Sequence, residues 1–260
     1  MDYGLTNKVV IVTGAATGIG KAIAKAFHDE GAIVITNGRD EAKLKQALAD
    51  IGERAHGIRA DLTRAEDAQA LFDFAVSFGP VEYLVNNIGI FESKSFFEFD
   101  DARWFEYFDS NIMTAVRMCR LALRQMLGRN AGSILFISSD AAVKAIPWMA
   151  PYSMTKAAQL GLARSLAEIT KGTKVRVNTL MPGPTATESV RTYFGQIAEQ
   201  KGVTLDEVVT NYFKKEEPSS LIQTLIDPAS HGRAAIAVMT NPAINGSVLR
   251  CEGGIVRSSF

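Results

Sequence analysis

The sequence predicts an α/β protein built on one doubly wound, seven-stranded parallel sheet with helices on both faces. Three observations carry that expectation. Seven short apolar runs recur along the chain: "KVVIVTG", "AIVITNG", "AHGIRA", "VEYLVNN", "GSILFISS", "KVRVNTLMPG" and "GSVLRCEGG". Their hydrophobicity is nearly continuous rather than alternating, so both faces of the sheet need cover. Longer stretches of helical pattern separate them, and strand alternating with helix builds right-handed βαβ units.

The first strand leads into "IGKAIAKAFHDEGA", where Gly31 is a natural stop after the last turn. After the second strand, Asp40 and Glu41 suit the start of the next helix, because acids favour the positive end of its dipole. "AEDAQALFDFAVSFG" follows the third strand and ends at Gly79. The stretch "WFEYFDSNIMTAVRMCRLALRQML" precedes the fifth strand and is apolar around much of its circumference. "PYSMTKAAQLGLARSLAEI" supplies the helix before the sixth. Between about 186 and 228 the rhythm breaks, and two or three helical stretches intervene before the last strand. The whole of 1–260 is expected to form a single domain.

Composition narrows the function classes. Hydrophobic residues make up 47% and charged residues 22%, with a formal net charge of zero. No basic excess is present to hold a phosphate backbone, so nucleic acid is not the expected partner. No run approaches the length needed to cross a bilayer, and no membrane partner is expected. Cys119 and Cys251 lie far apart and in no metal-ligand spacing. A reduced, cytoplasmic setting and no metal are the expectation.

Two short patterns carry chemistry. "TGAATGIG", Thr13 to Gly20, sits in the first strand-to-helix turn. Gly14, Gly18 and Gly20 let the backbone turn tightly and approach a ligand. The helix N-terminus offers free N–H groups to a pyrophosphate. Tyr152 and Lys156 stand four residues apart, on one face of a helix. Alone, that pair fits a structural tyrosine and a solvated lysine.

The glycine spacing resembles that of the short-chain dehydrogenase/reductase family, and the resemblance spans almost the whole chain. Asp61 in "ADL", followed by Leu62, resembles the family's adenine-contacting aspartate. "NNIG" at Asn86–Gly89 resembles its N-N-A-G segment, with Ile88 in place of alanine. Asn111 falls where the family places a structural and catalytic asparagine, and Ser139 lies at its usual thirteen residues before Tyr152. "MPGPTAT", Met181 to Thr187, looks like the loop that flanks the nicotinamide. The resemblance implies a Rossmann-type fold with Asn111, Ser139, Tyr152 and Lys156 as catalytic residues. It implies a cofactor site drawn from Gly14, Thr17, Gly18, Ile19, Gly20, Asp61, Leu62, Asn87, Gly89, Pro182, Gly183, Thr185 and Thr187, together with Tyr152 and Lys156.

Hydride transfer to a carbonyl needs a proton donor within hydrogen-bond reach. Tyrosine ordinarily ionises near pH 10, and an adjacent ammonium is expected to favour its phenolate. Tyr152 is thus the expected acid/base and Lys156 its electrostatic partner. Ser139 is expected to hold the substrate oxygen, with Ser138 as its rival. By resemblance, Lys156 also bonds the nicotinamide ribose and Asn111 supports a water chain. At the end of the second strand stands Gly38, where an NAD enzyme needs a carboxylate, and Arg39 follows. That pair suits a 2′-phosphate and favours NADP(H) over NAD(H).

By resemblance, about 186–228 is the place of a helical substrate lid, with Phe194 a candidate for substrate contact there. Trp148 and Met149 are expected to contact substrate, with Asp140 near the mouth of the site. A 3-oxoacyl thioester, a small ketone and a sugar all remain open as substrates. The resemblance implies a homotetramer. Competing readings are a non-catalytic dinucleotide sensor, an NAD-dependent alcohol dehydrogenase, and an epimerase or dehydratase of the longer branch. That branch has G-x-x-G-x-x-G and a larger substrate domain, and this chain has neither.

Overall fold

In the computed structural model, which describes residues 2–258, all seven expected strands form and all run parallel. Met1, Ser259 and Phe260 of the expected 1–260 domain lie outside the described residues. The strands are β1 (Val9–Val12), β2 (Ile33–Gly38), β3 (Ala55–Arg59), β4 (Val81–Asn86), β5 (Gly132–Ile137), β6 (Val175–Pro182) and β7 (Val248–Cys251). Their order across the sheet is β3-β2-β1-β4-β5-β6-β7. The winding reverses between β1 and β4, and that reversal opens a crevice at the carboxyl ends of the strands.

Side chains alternate across the pleat, so each strand feeds two cores. Val9 and Ile11 join the layer beneath α3 (Ala65–Val76), α5 (Thr114–Arg129) and α7 (Ala150–Ile169). Val10 and Val12 join the opposite layer, under α1 (Gly18–Asp29) and α10 (Pro228–Thr240). This two-sided burial explains why the strands read as unbroken apolar runs. Gly232 of α10 lies so near α1 that a Cβ there would stand 2.7 Å from the Cβ of Ala26.

Local signals set the element ends. Gly31 and Gly79 adopt φ of 86° and 140°, which side-chain-bearing residues rarely reach. The Asp40 carboxylate accepts from the Lys43 N–H at 3.0 Å and caps α2 (Glu41–Ile51). The long stretch before β5 is not a uniform helix. α4 (Asp101–Phe108) passes into a wide π-helical turn, Asp109–Met113, before α5 begins. α6 (Ala141–Lys144) is a single turn after β5. The segment expected to form a lid holds α8 (Glu188–Lys201) and α9 (Leu205–Lys215). Phe194, Ala198 and Val208 bury one another there in a separate small core. Among the described residues no helix is long and apolar enough to cross a membrane.

Candidate active site

The glycine turn closes β1 onto β4. Gly14 and Gly18 both adopt left-handed φ, 64° and 61°. A Cβ on Gly14 would meet Ile88 at 2.8 Å, and one on Gly20 would meet the Asn87 amide at 2.3 Å. Asn87 Nδ2 donates to the carbonyls of Thr13 at 3.0 Å and Gly14 at 3.3 Å. Gly14, Gly20 and Asn87 therefore shape the turn, while Ile19 packs into the core beneath it. Thr17 is exposed at the N-cap of α1, and its side chain makes no capping bond. Gly18 faces Thr187, the N-cap residue of α8: a Cβ on Gly18 would stand 3.5 Å from its Cγ2. The free N–H groups at the α1 N-terminus lie beside Gly18, where an anion would meet the positive end of the helix dipole.

Beyond the end of β2, an open depression of ≈ 500 Å³ is lined by Arg39, Arg59, Ala60, Asp61, Arg64 and Asp67. Arg59 Nε donates to the Arg39 carbonyl at 3.2 Å, which ties the two strand ends together. Asp61 accepts from the backbone and hydroxyl of Thr63 at 3.1 and 2.8 Å, so its carboxylate is held in its own turn. Leu62 turns inward and is buried in the core. Arg59 and Arg64 were not singled out in the sequence. Arg59 pairs in register with Gly38 across β2 and β3, and that pairing is the signal that would have found it.

The catalytic candidates converge at the carboxyl ends of β4, β5 and β6. Lys156 is only 3% exposed. Its Nζ donates to the Ile137 carbonyl at 2.8 Å and to Gln159 Oε1 at 3.4 Å, and it lies 5.5 Å from the Tyr152 ring centroid. Burial alone pulls the Lys156 ammonium down to about 7. Tyr152 is half-buried, and the protein packed around it pushes the phenol up to about 12. The Ser139 hydroxyl opposes that shift, and the Asp140 charge adds to it. Desolvation is the largest influence at both groups. Ser138 is engaged elsewhere, because its hydroxyl donates to the Lys156 carbonyl at 2.8 Å. That leaves Ser139 as the serine beside Tyr152.

Asn111 sits in the π-helical turn and is fully buried. Its amide exchanges hydrogen bonds with Ile90, at 2.7 and 3.1 Å, and donates to Thr155 Oγ1 at 2.9 Å. It clamps the exit of β4 to α7. Its backbone carbonyl accepts from Gln159 Nε2 at 2.8 Å, so Gln159 bridges Lys156 and Asn111. Sequence reading missed Gln159, although it lies three residues after Lys156 on the same helix face. Gly89 passes between these groups, and a Cβ there would stand 3.2 Å from Lys156 Nζ.

Pro182 ends β6, and Gly183 packs on the Glu252 backbone, where a Cβ would meet the carbonyl oxygen at 2.7 Å. Thr185 is buried with its hydroxyl donating to the Gly183 carbonyl at 2.7 Å. At the mouth, Trp148 is 47% exposed, Met149 is half-buried, and the Phe91 ring stands edge-on to Tyr152 at 6.1 Å. Phe91 is a rim residue that sequence reading passed over. Phe194 is packed between Tyr193 and Tyr212 inside the small core of α8 and α9.

The family model described as short chain dehydrogenase matches residues 8–197. The oxidoreductase YvrD of Bacillus subtilis (strain 168) is 43% identical over 262 residues, covering 99% of this chain and 100% of YvrD. The L-sorbose reductase of Gluconobacter frateurii, solved with NADPH and L-sorbose, superposes with a TM-score of 0.92 at 26% identity. That match covers 99% of this chain and 100% of the reductase. A single-substitution variant of the actinorhodin polyketide ketoreductase, solved with NADPH, gives 0.87 at 26% identity, over 96% and 98% of the two chains. By these matches and its sheet order, the chain belongs to the short-chain dehydrogenase family of oxidoreductases.

Proposed function

We propose that this oxidoreductase is NADP-dependent and moves a hydride between the nicotinamide and a carbonyl or secondary alcohol. The carrying observation is the convergence of Tyr152, Lys156 and Ser139 where the sheet's crevice opens. The bound dinucleotide supplies the redox chemistry. The protein's own task is to manage one proton and hold the substrate oxygen. Tyr152 donates the phenolic proton to the oxygen of a ketone as its carbon is reduced, and takes it back in oxidation. An oxygen acquiring negative charge draws that proton readily from a phenol held in a poorly solvated site. Lys156 faces both the Tyr152 ring and the cofactor crevice, and would reach the nicotinamide ribose.

The arginine-lined depression supports NADP. Arg39, Arg59 and Arg64 border the place where the adenosine ribose would lie, and guanidinium groups grip a 2′-phosphate bidentately. The NADPH complexes of the two solved neighbours are consistent with this choice. Phe91 and Trp148 give the mouth an apolar rim, while Asp140 gives its floor a charge. Exposed apolar side chains on α4 and α7, among them Phe105 and Ile169, support pairing with further copies into a tetramer. Cytoplasmic residence follows from the same reading, with both thiols free.

The test is a screen of NADPH oxidation against 3-oxoacyl thioesters, small ketones and ketoses. Turnover of at least one class, abolished in Tyr152→Phe, is expected. Turnover that survives in Tyr152→Phe overturns the assignment.

A further inference from the structure

Ser139 has a single hydroxyl proton, and it is already committed. Its Oγ donates to Asp140 Oδ1 at 2.9 Å and accepts from the Ala141 N–H at 3.1 Å. A proton given to Asp140 is not available to a phenolate on Tyr152 or to an oxygen on the substrate. The Asp140 carboxylate and the reacting oxygen therefore compete for it.

The strength of the Asp140 claim is set from two sides. Lys144, one helical turn along α6, brings its Nζ within 3.7 Å of Asp140 Oδ2. The same ammonium is hydrogen-bonded to Glu217, which lies just beyond α9 in the lid segment. Tyr212 of α9 donates to the same Glu217 carboxylate oxygen at 3.4 Å. Asp140 and Glu217 are both about 6% exposed. Two buried carboxylates thus share one lysine, and one of them belongs to the lid. The groups that bear on Asp140 are Lys144 from α6, Tyr152 from α7, and Tyr212 and Glu217 from the lid.

We propose that Asp140 is a positioning residue that holds the Ser139 proton away from the substrate oxygen, and that the lid controls this hold through Glu217 and Lys144. With Glu217 docked, Lys144 is divided between two carboxylates, and Asp140 keeps the serine proton firmly. With Glu217 withdrawn, Lys144 belongs to Asp140 alone, and the serine proton is freer to turn toward the substrate. Burial and Glu217 raise the Asp140 carboxyl, while Lys144 and Ser139 lower it. Protonating Asp140 removes its claim altogether.

This inference rests on the reading of Ser139 as the serine that meets the reacting oxygen, so one arm of its test needs no substrate. The ¹³C carboxyl resonance of Asp140, assigned sequentially in the full chain, is followed against pH. Ser139→Ala and Lys144→Met should each raise its midpoint by about half a pH unit or more, and Glu217→Gln should lower it. Lack of a shift in Ser139→Ala or in Glu217→Gln overturns the proposal. The lid variant needs no change in the sheet or its two cores, so it remains usable if a body variant does not fold. The second arm follows NADPH-dependent reduction of L-sorbose and 2,3-butanedione. Turnover should rise as pH falls through the Asp140 midpoint, moving up with Lys144→Met and down with Glu217→Gln. A turnover profile that stays fixed while the carboxyl midpoint moves also overturns the proposal. Wild-type inactivity toward these two and toward the 3-oxoacyl thioesters as well counts against the oxidoreductase roles of Tyr152 and Ser139, and the carboxyl titration then decides the Asp140 inference by itself.

Discussion

The ring of His231 donates through Nε2 to the hydroxyl of Thr185, 2.8 Å away, because that hydroxyl gives its own proton to the Gly183 carbonyl. The histidine is completely buried, and burial lowers its pKa to about 4. It holds the loop after β6 in place as a neutral ring. In the unfolded chain the same ring takes a proton near pH 6.5. The unfolded state therefore binds more protons between those values, and stability falls as pH drops from about 6.5 to 4. The full loss is about 3 kcal/mol. Denaturant titrations of wild type and His231→Gln across that range check it. The gap between them should narrow as pH falls, and a constant gap would contradict the neutral, buried histidine.

Tyr152→Phe removes one oxygen and keeps the ring, so its edge-on contact with Phe91 and cofactor affinity should persist. Turnover should fall by about 10²–10⁴-fold. Lys156→Met should lower turnover and weaken cofactor binding together. Steady-state kinetics and fluorescence titration with NADPH separate the two variants. Equal loss of cofactor affinity in both would place Tyr152 in binding rather than proton transfer.

Arg39→Ala and Arg59→Ala should each weaken NADP(H) far more than NAD(H). Loss of a charged contact to phosphate removes about 1.5–3 kcal/mol. Arg59 also bonds the Arg39 carbonyl, so the double variant should lose less than the sum of the single ones. Calorimetric titration with both dinucleotides measures this. Tighter binding of NAD(H) than NADP(H) by wild type would refute the cofactor assignment.

Gly20→Ala should destabilise the chain by about 1–3 kcal/mol. Its Cβ would enter the space of the Asn87 amide, which holds the carbonyls of Thr13 and Gly14. Gly161, in the middle of α7, has open space where its Cβ would go. Gly161→Ala should therefore stabilise by about 0.5–1 kcal/mol. Thermal melts of both variants compare a crowded glycine with a free one.

Phe105 is 73% exposed on α4 and Ile169 61% exposed at the end of α7. If these surfaces join copies into a tetramer, Phe105→Glu should lower the mass in solution. Light scattering at micromolar concentration gives the answer, and a wild-type monomer would end the idea.

Much of the fold was legible because its signals are local. Continuous apolar runs gave the strands, Gly31 and Gly79 marked positive-φ stops, and Asp40 marked a helix start. The tyrosine–lysine spacing sits within one helix, and the glycine turn within one strand-to-helix connection. What stayed hidden depends on distant segments meeting. Arg59 reaches the Arg39 neighbourhood only through strand pairing, and Glu217 reaches Lys144 only when the lid folds back. The π-helical turn at Asn111 carries no compositional mark, since widening a helix by one residue changes hydrogen bonding and not residue preference. The desolvation of Tyr152 and Lys156 is hidden from the sequence for a related reason. Spacing shows a neighbouring charge, but only packing shows how much water has been removed.

The separate core of α8 and α9 has a consequence for how such a chain can change its diet. Phe194, Ala198 and Val208 satisfy one another without help from the sheet. The pair is a cartridge seated on a chassis: residues on its inner surface can be replaced with little effect on the two layers that hold the strands. On the proposal that this pair covers the substrate, preference and folding stability are nearly independent properties of one polypeptide, and a new substrate is acquired by altering two helices.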